Sequence, residues 1–148
     1  MGVCLDGCFC SLAEAVKALW CQDPVLSEKI PGSKFFEDGW TNSQPELPYA
    51  IYRQGAASNQ LNLGDSEYFS IIVAQLKIYA KRDVWQLGKQ ARILFSNVGC
   101  LESLEGSLCG ARCIAGPTIR LPQGHFVVEH TLQLKVTENR DPSRLRMN

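Results

Sequence analysis

The sequence lacks an excess of charge of either sign, a long apolar run and a cluster of histidines. Its 15 lysines and arginines match its 15 aspartates and glutamates, whereas dedicated nucleic-acid-binding proteins are usually basic. No stretch reaches the about 18 consecutive apolar residues that a membrane-spanning helix requires. Asp6 and Glu14 fall where a secretory signal would be apolar, so we expect no such signal.

Cysteine is present in unusual number, with seven in 148 residues. An odd number leaves at least one thiol unpaired within the chain, and free thiols are typical of a reducing cytoplasm. The spacings Cys4–Cys8 and Cys109–Cys113 permit zinc binding. On an extended strand, however, residues four apart lie about 13 Å from each other, which is too far to share one ion. We therefore predict neither a metal nor any other cofactor.

No residue pattern indicates a catalytic site. His125 and His130 are five positions apart, so on a strand they would point to opposite faces. The carboxylates do not cluster, and no glycine-rich segment has the lysine and hydroxyl residues of a phosphate-binding loop. The sequence predicts a protein that is not an enzyme and has no catalytic residues. A small thiol-dependent or zinc-dependent enzyme is the alternative from another functional class.

The first helix is predicted from Ser11 to about Leu26. Ser11 and Glu14 form a capping box that satisfies N–H groups at its start, and the Asp23-Pro24 pair breaks or kinks it. The following residues, 31–48, hold three prolines and two glycines without a steady period. We expect an irregular segment there.

The second helix is predicted from Asp83 to Val98, with Asp83 as its N-cap and Gly99 at its end. Before it, a short strand LPYAIYRQ is followed by a predicted hairpin loop over residues 55–66, which is polar and flanked by glycine. After the helix, two strands are joined at residues 122–124. These elements predict an α+β fold, an antiparallel sheet of about four strands with two helices packed on one face.

The predicted domain spans residues 11–138. Residues 1–10 form a cysteine-rich N-terminal extension, and residues 139–148 form a polar C-terminal tail. A chain of this length can bury a core in a single domain without metal or disulfide support.

The stretch EYFSIIVAQLKIYAKRD, residues 67–83, predicts an unusually long strand with apolar side chains on both faces. One face carries Tyr68, Ile72, Ala74, Leu76 and Ile78. The other carries Phe69, Ile71, Val73, Gln75, Lys77 and Tyr79. An exposed apolar strand face invites aggregation in a monomer, so we expect a neighbouring copy to cover it.

The order of elements resembles that of bacteriophage tail terminator proteins, also called tail completion proteins. The resemblance runs from about Leu12 to Thr137 and rests on four features. They are a first helix ending near DPVL, a PYAIY strand after a proline-rich loop, the strand-to-helix join LKIYAKRDVWQLGKQARILFSNV, and a closing hairpin that ends in VVEHTLQLKV. The cysteine-rich start, MGVCLDGCFC, departs from what the family leads us to expect.

The resemblance implies a structural virion protein that forms a homo-hexameric ring. Such a ring caps the tail tube, ends its polymerisation and joins it to the head connector. It lies at the head-proximal end of the tail, is assembled in the host cytoplasm, touches no membrane, and lets DNA pass through its lumen without specific binding. The alternative within the virion is a head-closure or adaptor ring, or a tail tube protein.

Two sets of residues are assigned to contacts as hypotheses. The oligomer interface comprises Phe69, Ile71, Val73, Gln75 and Lys77. The loop that would reach the tail tube comprises Asn59, Gln60, Leu61, Asn62 and Leu63. The first set follows from the surplus apolar surface of the long strand, and the second from the functional role of long loops.

Overall fold

The computed structural model describes residues 11–37, 45–62, 68–97, 101–103 and 106–137. Its helices are α1 (Leu12–Gln22), α2 (Pro24–Lys29) and α3 (Val84–Phe95), with a 3-10 turn at Gly32–Lys34. Its strands are β1 (Phe35–Glu37), β2 (Tyr49–Asn62), β3 (Tyr68–Ala80), β4 (Leu101–Ser103), β5 (Gly106–Ile114), β6 (Thr118–Arg120) and β7 (Phe126–Thr137). The predicted N-terminal extension and C-terminal tail lie outside the described residues, and the predicted domain boundaries stay a prediction.

The N-terminal helix is divided in two at Asp23. The Ser11 side chain accepts a hydrogen bond from the Glu14 N–H at 3.2 Å, which caps α1 as predicted. One carboxylate oxygen of Asp23 then accepts from the N–H groups of Val25 and Leu26, at 2.9 and 3.0 Å, and so caps α2. Pro24 occupies the first position of α2, where a missing N–H costs nothing.

The sheet is larger than predicted and is mixed rather than purely antiparallel. Six strands follow the order β1-β2-β3-β7-β5-β4, and β6 pairs with β7 beyond the end of β5. The pairing of β1 with β2 is parallel, whereas the other pairs are antiparallel. The prediction of four antiparallel strands was wrong because β1, β4 and β6 have three residues each, too few to show a period of two. The prediction of two helices was also wrong, since the described ranges contain three.

The predicted loop over residues 55–66 was wrong for most of its length. Strand β2 continues to Asn62, and its backbone pairs with β3 through two register shifts near Ala57. Gly55 suits this close pairing, because a Cβ at that position would lie 2.7 Å from the Val73 carbonyl oxygen. The residues here are small or polar and do not alternate with apolar ones. The sequence therefore does not predict a strand, and the strand is recognised only from its pairing with β3.

Asp83 does not cap α3 as the sequence predicts. Its backbone is left-handed, at φ 61° and ψ 21°, and its side chain makes no cap hydrogen bond. Aspartate tolerates this conformation better than most residues, and here it accommodates the turn from β3 into the helix. The carboxylate instead forms an ion pair with Lys29 on α2, at 3.7 Å. The helix ends at Phe95, and the predicted stop at Gly99 lies outside the described residues.

The core lies between the three helices and one face of the sheet. Helix α1 contributes Trp20, whose ring is fully buried and whose Nε1–H donates to the Ile30 carbonyl oxygen at 2.8 Å. An aromatic chain continues from Trp20 to Phe35 on β1, at 5.1 Å between ring centroids, and on to Tyr52 on β2, at 6.3 Å. These contacts hold the short parallel strand β1 at the edge of the sheet. Within the described ranges, no helix has both the length and the apolarity needed to cross a membrane.

Candidate interaction surface

The helices cover one face of the sheet and leave the other open. On β3 the predicted alternation is confirmed, because Ala74, Leu76 and Ile78 are buried beneath the helices while Gln75 is exposed on the opposite side. Strand register places the outward residues of β2 and β7 beside those of β3, and those of β5 beside those of β7. We call this surface the open face. Its described side chains are Ile51, Arg53, Ile71, Val73, Gln75, Lys77, Arg112, Ile114, Glu129, Thr131, Gln133 and Lys135.

Along the covered face of β3, burial is nearly complete at Ala74 and partial at Ile72, which still packs against the core. Ile72 continues the buried row but is only partly buried, and Ile71 on the opposite side is also only partly buried. Val73 is 36% exposed, which is high for a valine in the middle of a sheet. We call residues 56–62 of β2 and 68–73 of β3 the hairpin arm. In the hairpin arm β3 therefore presents apolar side chains on both of its faces, as the sequence predicts.

The residues predicted for an oligomer interface lie together. Ile71, Val73, Gln75 and Lys77 all occupy the open face, whereas the side chain of Phe69 lies outside the described part of the structure. The residues predicted to contact the tail tube are not in a loop, because positions 59–62 belong to β2, and Leu63 lies outside the described residues. Both contact roles stay predictions.

The open face carries more positive than negative charge. Its cations are Arg53, Lys77, Arg112 and Lys135, and its only described carboxylate is that of Glu129. The carboxylate lies 3.9 Å from the Lys77 ammonium and forms an ion pair with it between the adjacent strands β7 and β3. Sequence reasoning missed this surface because its cations are scattered along the chain, and strand register alone brings them onto one face.

Aromatic side chains close one end of the open face. Tyr49 and Tyr79 stack on adjacent strands with 4.7 Å between ring centroids and 15° between planes. Phe36 packs on Tyr49 from one side, and His125, itself buried, packs on Tyr79 from the other. Burial, followed by the neighbouring Tyr49 and Glu129, raises the pKa of Tyr79, so its phenol keeps its proton at neutral pH. This row of ring contacts joins β1, β2 and β3 at this end of the sheet.

His130 lies on the covered face, where the sequence places it in the apolar row. Its Nδ1 accepts a hydrogen bond from the Gly116 N–H at 3.2 Å, so the proton is on Nε2, which donates to the Gly88 carbonyl oxygen at 2.8 Å. The ring therefore ties α3 to the segment between β5 and β6. Gly116 must be glycine for this contact, since a Cβ there would collide with the Glu129 carbonyl oxygen.

The buried thiol of Cys113 is poorly suited to nucleophilic chemistry. Burial raises the pKa of Cys113 to about 11, an effect that nearby Arg92 only partly offsets. Cys21 is exposed on α1 and forms no disulfide. In the described ranges, no three side chains of the metal-binding types come together to hold an ion. Cys4, Cys8 and Cys10 lie outside those ranges.

A cavity of about 390 Å³ lies where β3 turns into α3, away from the open face. Lys29, Lys81 and Arg82 line it together with the apolar side chains of Leu47 and Pro48. The Asp83 carboxylate also lines it and pairs with Lys29 at 3.7 Å. The cavity is a surface depression between α2, α3 and the sheet.

Comparisons with known proteins give a structural likeness without a family. No family model matches the sequence, and no curated protein matches it. Among solved structures, the fold is similar to a chain of the virion of a native gene transfer agent particle, with a TM-score of 0.58 and 14% sequence identity. The alignment covers 86% of this chain and 95% of that chain. At this identity the likeness shows a shared fold.

Proposed function

We propose that the chain is a structural virion protein that forms a ring, caps the tail tube, ends its polymerisation and joins it to the head connector. The observation that carries this proposal is the hairpin arm, where Ile71 is only partly buried and Val73 is 36% exposed on the open face. Apolar strand surface of this kind is typically covered by a partner chain. The shared fold with a protein of a gene transfer agent virion supports a role in a phage-like particle.

A ring follows from the type of contact. When a patch on one subunit meets a different patch on the next, the contact is head-to-tail, and it closes into a ring if the rotation allows. In this proposal the residues that contact the neighbouring subunit are Phe69, Ile71, Val73, Gln75 and Lys77. The residues proposed to reach the tail tube are Asn59, Gln60, Leu61, Asn62 and Leu63, of which the first four lie on β2.

Native mass spectrometry under reducing conditions tests the ring directly. A particle of six times the 16.4 kDa monomer mass, without metal, supports the proposal. The decisive step is then to add the protein to polymerising tail tube protein and measure tube length by electron microscopy. A terminator yields tubes that stop growing and carry density at one end. Tubes that grow unchanged count against it.

The nearest alternative is another virion ring, such as a head-closure or adaptor protein, or a tail tube protein. It also predicts ring formation, so oligomer mass alone does not separate the two. Binding does: an adaptor binds the head connector without stopping tube growth, and a tube protein adds to the tube lengthwise. A thiol- or zinc-dependent enzyme predicts instead a monomer with a stoichiometric zinc adduct or one exceptionally reactive cysteine.

A further inference from the structure

We propose that a groove beside α3 binds an acidic segment of a partner protein. In this inference Trp85 packs on an apolar side chain of that segment, and Lys89 and Arg92 pair with its carboxylates. The groove has a volume of about 250 Å³ and lies between α3 and the residues that join β5 to β6, on the covered side of the sheet. It contains none of the residues assigned to the subunit contact or to the tail tube. The inference therefore rests on neither the ring nor the capping role.

Trp85 forms an apolar wall of the groove. It is 58% exposed, more than any other large apolar side chain in the described ranges. Its indole is nevertheless held in place, because it packs on Phe126 with 5.1 Å between ring centroids, and Phe126 packs against the core. A side chain that is already oriented loses little conformational freedom when a partner covers it. Trp85 therefore offers a preorganised apolar contact.

Two cations follow Trp85 along the same stripe of α3. Lys89 and Arg92 come four and seven positions after it, a spacing that places all three on one side of a helix, and all three line the groove. Neither cation forms an ion pair with a residue in the described ranges. Arg92 acts on Cys113, but that thiol is protonated at neutral pH and carries no charge. No carboxylate is among the described residues that line the groove, so its charge is positive.

The floor of the groove is fixed by hydrogen bonds. The buried His130 ring lies there and is bonded to the Gly88 carbonyl oxygen at 2.8 Å and to the Gly116 N–H at 3.2 Å. Gly88 lets α3 approach the sheet closely, since a Cβ at that position would lie 3.3 Å from the Val128 side chain. The wall that carries Trp85 and the floor are therefore held in one arrangement before any partner binds.

These features favour an acidic protein segment over nucleic acid. Tryptophan and arginine are among the residues that most often dominate the binding energy of protein interfaces, and charge complementarity selects an acidic partner for a positive groove. Single-stranded nucleic acid stacks successive bases on several aromatic side chains, whereas Trp85 is the one exposed aromatic residue described in this groove. A duplex backbone needs a broader cationic surface than two side chains on one helix provide.

The test is fluorescence anisotropy with a labelled synthetic peptide of about ten residues, in which glutamates flank a central pair of leucines. We expect the wild type to bind this peptide at about 50 mM salt. Trp85→Ala and Lys89→Gln/Arg92→Gln should each weaken binding about tenfold, because the first removes the apolar wall and the second removes the charges. The same peptide with glutamine in place of glutamate should bind the wild type about tenfold more weakly. Circular dichroism and thermal melting establish that the variants are folded.

Matched controls make the same kinds of change outside the groove. Lys81→Gln/Arg82→Gln removes two exposed cations from the turn before α3, and Ile93→Ala shortens an apolar side chain of α3 that is 46% exposed. Both controls should bind the peptide as the wild type does. A control that loses as much binding as its groove variant overturns the inference.

Three further outcomes overturn it. The folded wild type could fail to bind the acidic peptide, or it could bind the glutamine peptide equally well. An oligothymidylate of similar length could compete as well as the unlabelled peptide, and the groove would then be a site for single-stranded nucleic acid.

The result is separable from the test of the ring. A monomer that binds the peptide through this groove keeps the inference and removes the ring. A hexamer that binds no peptide keeps the ring and removes the inference.

Discussion

Asp23 and Gln90 join the N-terminal helix pair to α3. One oxygen of the buried Asp23 carboxylate caps α2, and the other accepts a hydrogen bond from the Gln90 Nε2–H at 2.9 Å. The two residues are 67 positions apart in sequence, so this bond fixes the helical layer in a way that local capping alone could not. The helical layer packs on the sheet face that contains the buried Ala74, Leu76 and Ile78 of β3.

Replacing Asp23 tests this relationship. We expect Asp23→Ala to lower the free energy of unfolding by about 2 to 3 kcal/mol, because it removes the cap of α2 and leaves Gln90 without its partner. Asp23→Asn keeps an oxygen for the cap and should cost about 1 kcal/mol or less. Urea denaturation measures both. Equal losses in the two variants would show that the cap oxygen is not what stabilises this site.

Local sequence signals predicted the parts of the fold that depend on neighbouring residues. The capping box at Ser11 and the break at Asp23 could be predicted because their hydrogen bonds join residues three positions apart. The alternation along β3 was readable because burial repeats every second residue. The strand over residues 55–62 could not be predicted from the sequence. Its conformation depends on pairing with β3, and the bulges in that pairing interrupt any regular pattern.

For the candidate surface too, features within one stretch of sequence could be predicted and features formed by distant residues could not. Ile71 and Val73 could be singled out because an apolar residue on each side of a long strand is visible in one stretch of sequence. Arg53 and Arg112 could not, because they are 59 positions apart by their numbering and meet on one face only through the order β2-β3-β7-β5. The neutral total charge of the sequence therefore gave no indication that the described side chains of the open face carry a net positive charge.

His130 gives a second stability prediction. We expect His130→Phe to cost about 2 to 4 kcal/mol, because the Gly88 carbonyl oxygen and the Gly116 N–H both lose a buried partner. The matched control is His125→Phe, which keeps an aromatic ring against Tyr79 and should cost about 1 kcal/mol or less. Chemical denaturation of the two variants side by side decides the matter. If both lose the same stability, the hydrogen bonds of His130 are not what holds α3.

The raised pKa of Cys113 predicts a loss of stability at alkaline pH. The folded thiol ionises near pH 11 and the unfolded thiol near pH 9.0, so between these values the folded state binds more protons and stability falls as pH rises. Cys113→Ala has no thiol to ionise, so the difference in unfolding free energy between wild type and variant should shift against the wild type from pH 9 to 11. Thermal unfolding in reductant measures it. A difference that does not change with pH would contradict the buried, protonated thiol.

Charge placed in the hairpin arm tests the proposed subunit contact. Ile71→Lys and Val73→Asp each put a charge on strand surface that is only partly covered within one chain, so the fold should survive while a contact that buries these positions should not. We expect both variants to lose the ring in light scattering while keeping the circular dichroism of the wild type. The control is Ile93→Lys, at a residue on α3 that is 46% exposed and lies away from the open face. This control should keep the ring. Intact rings in both arm variants would remove the hairpin arm from the interface and leave the sheet edges as the place where subunits meet.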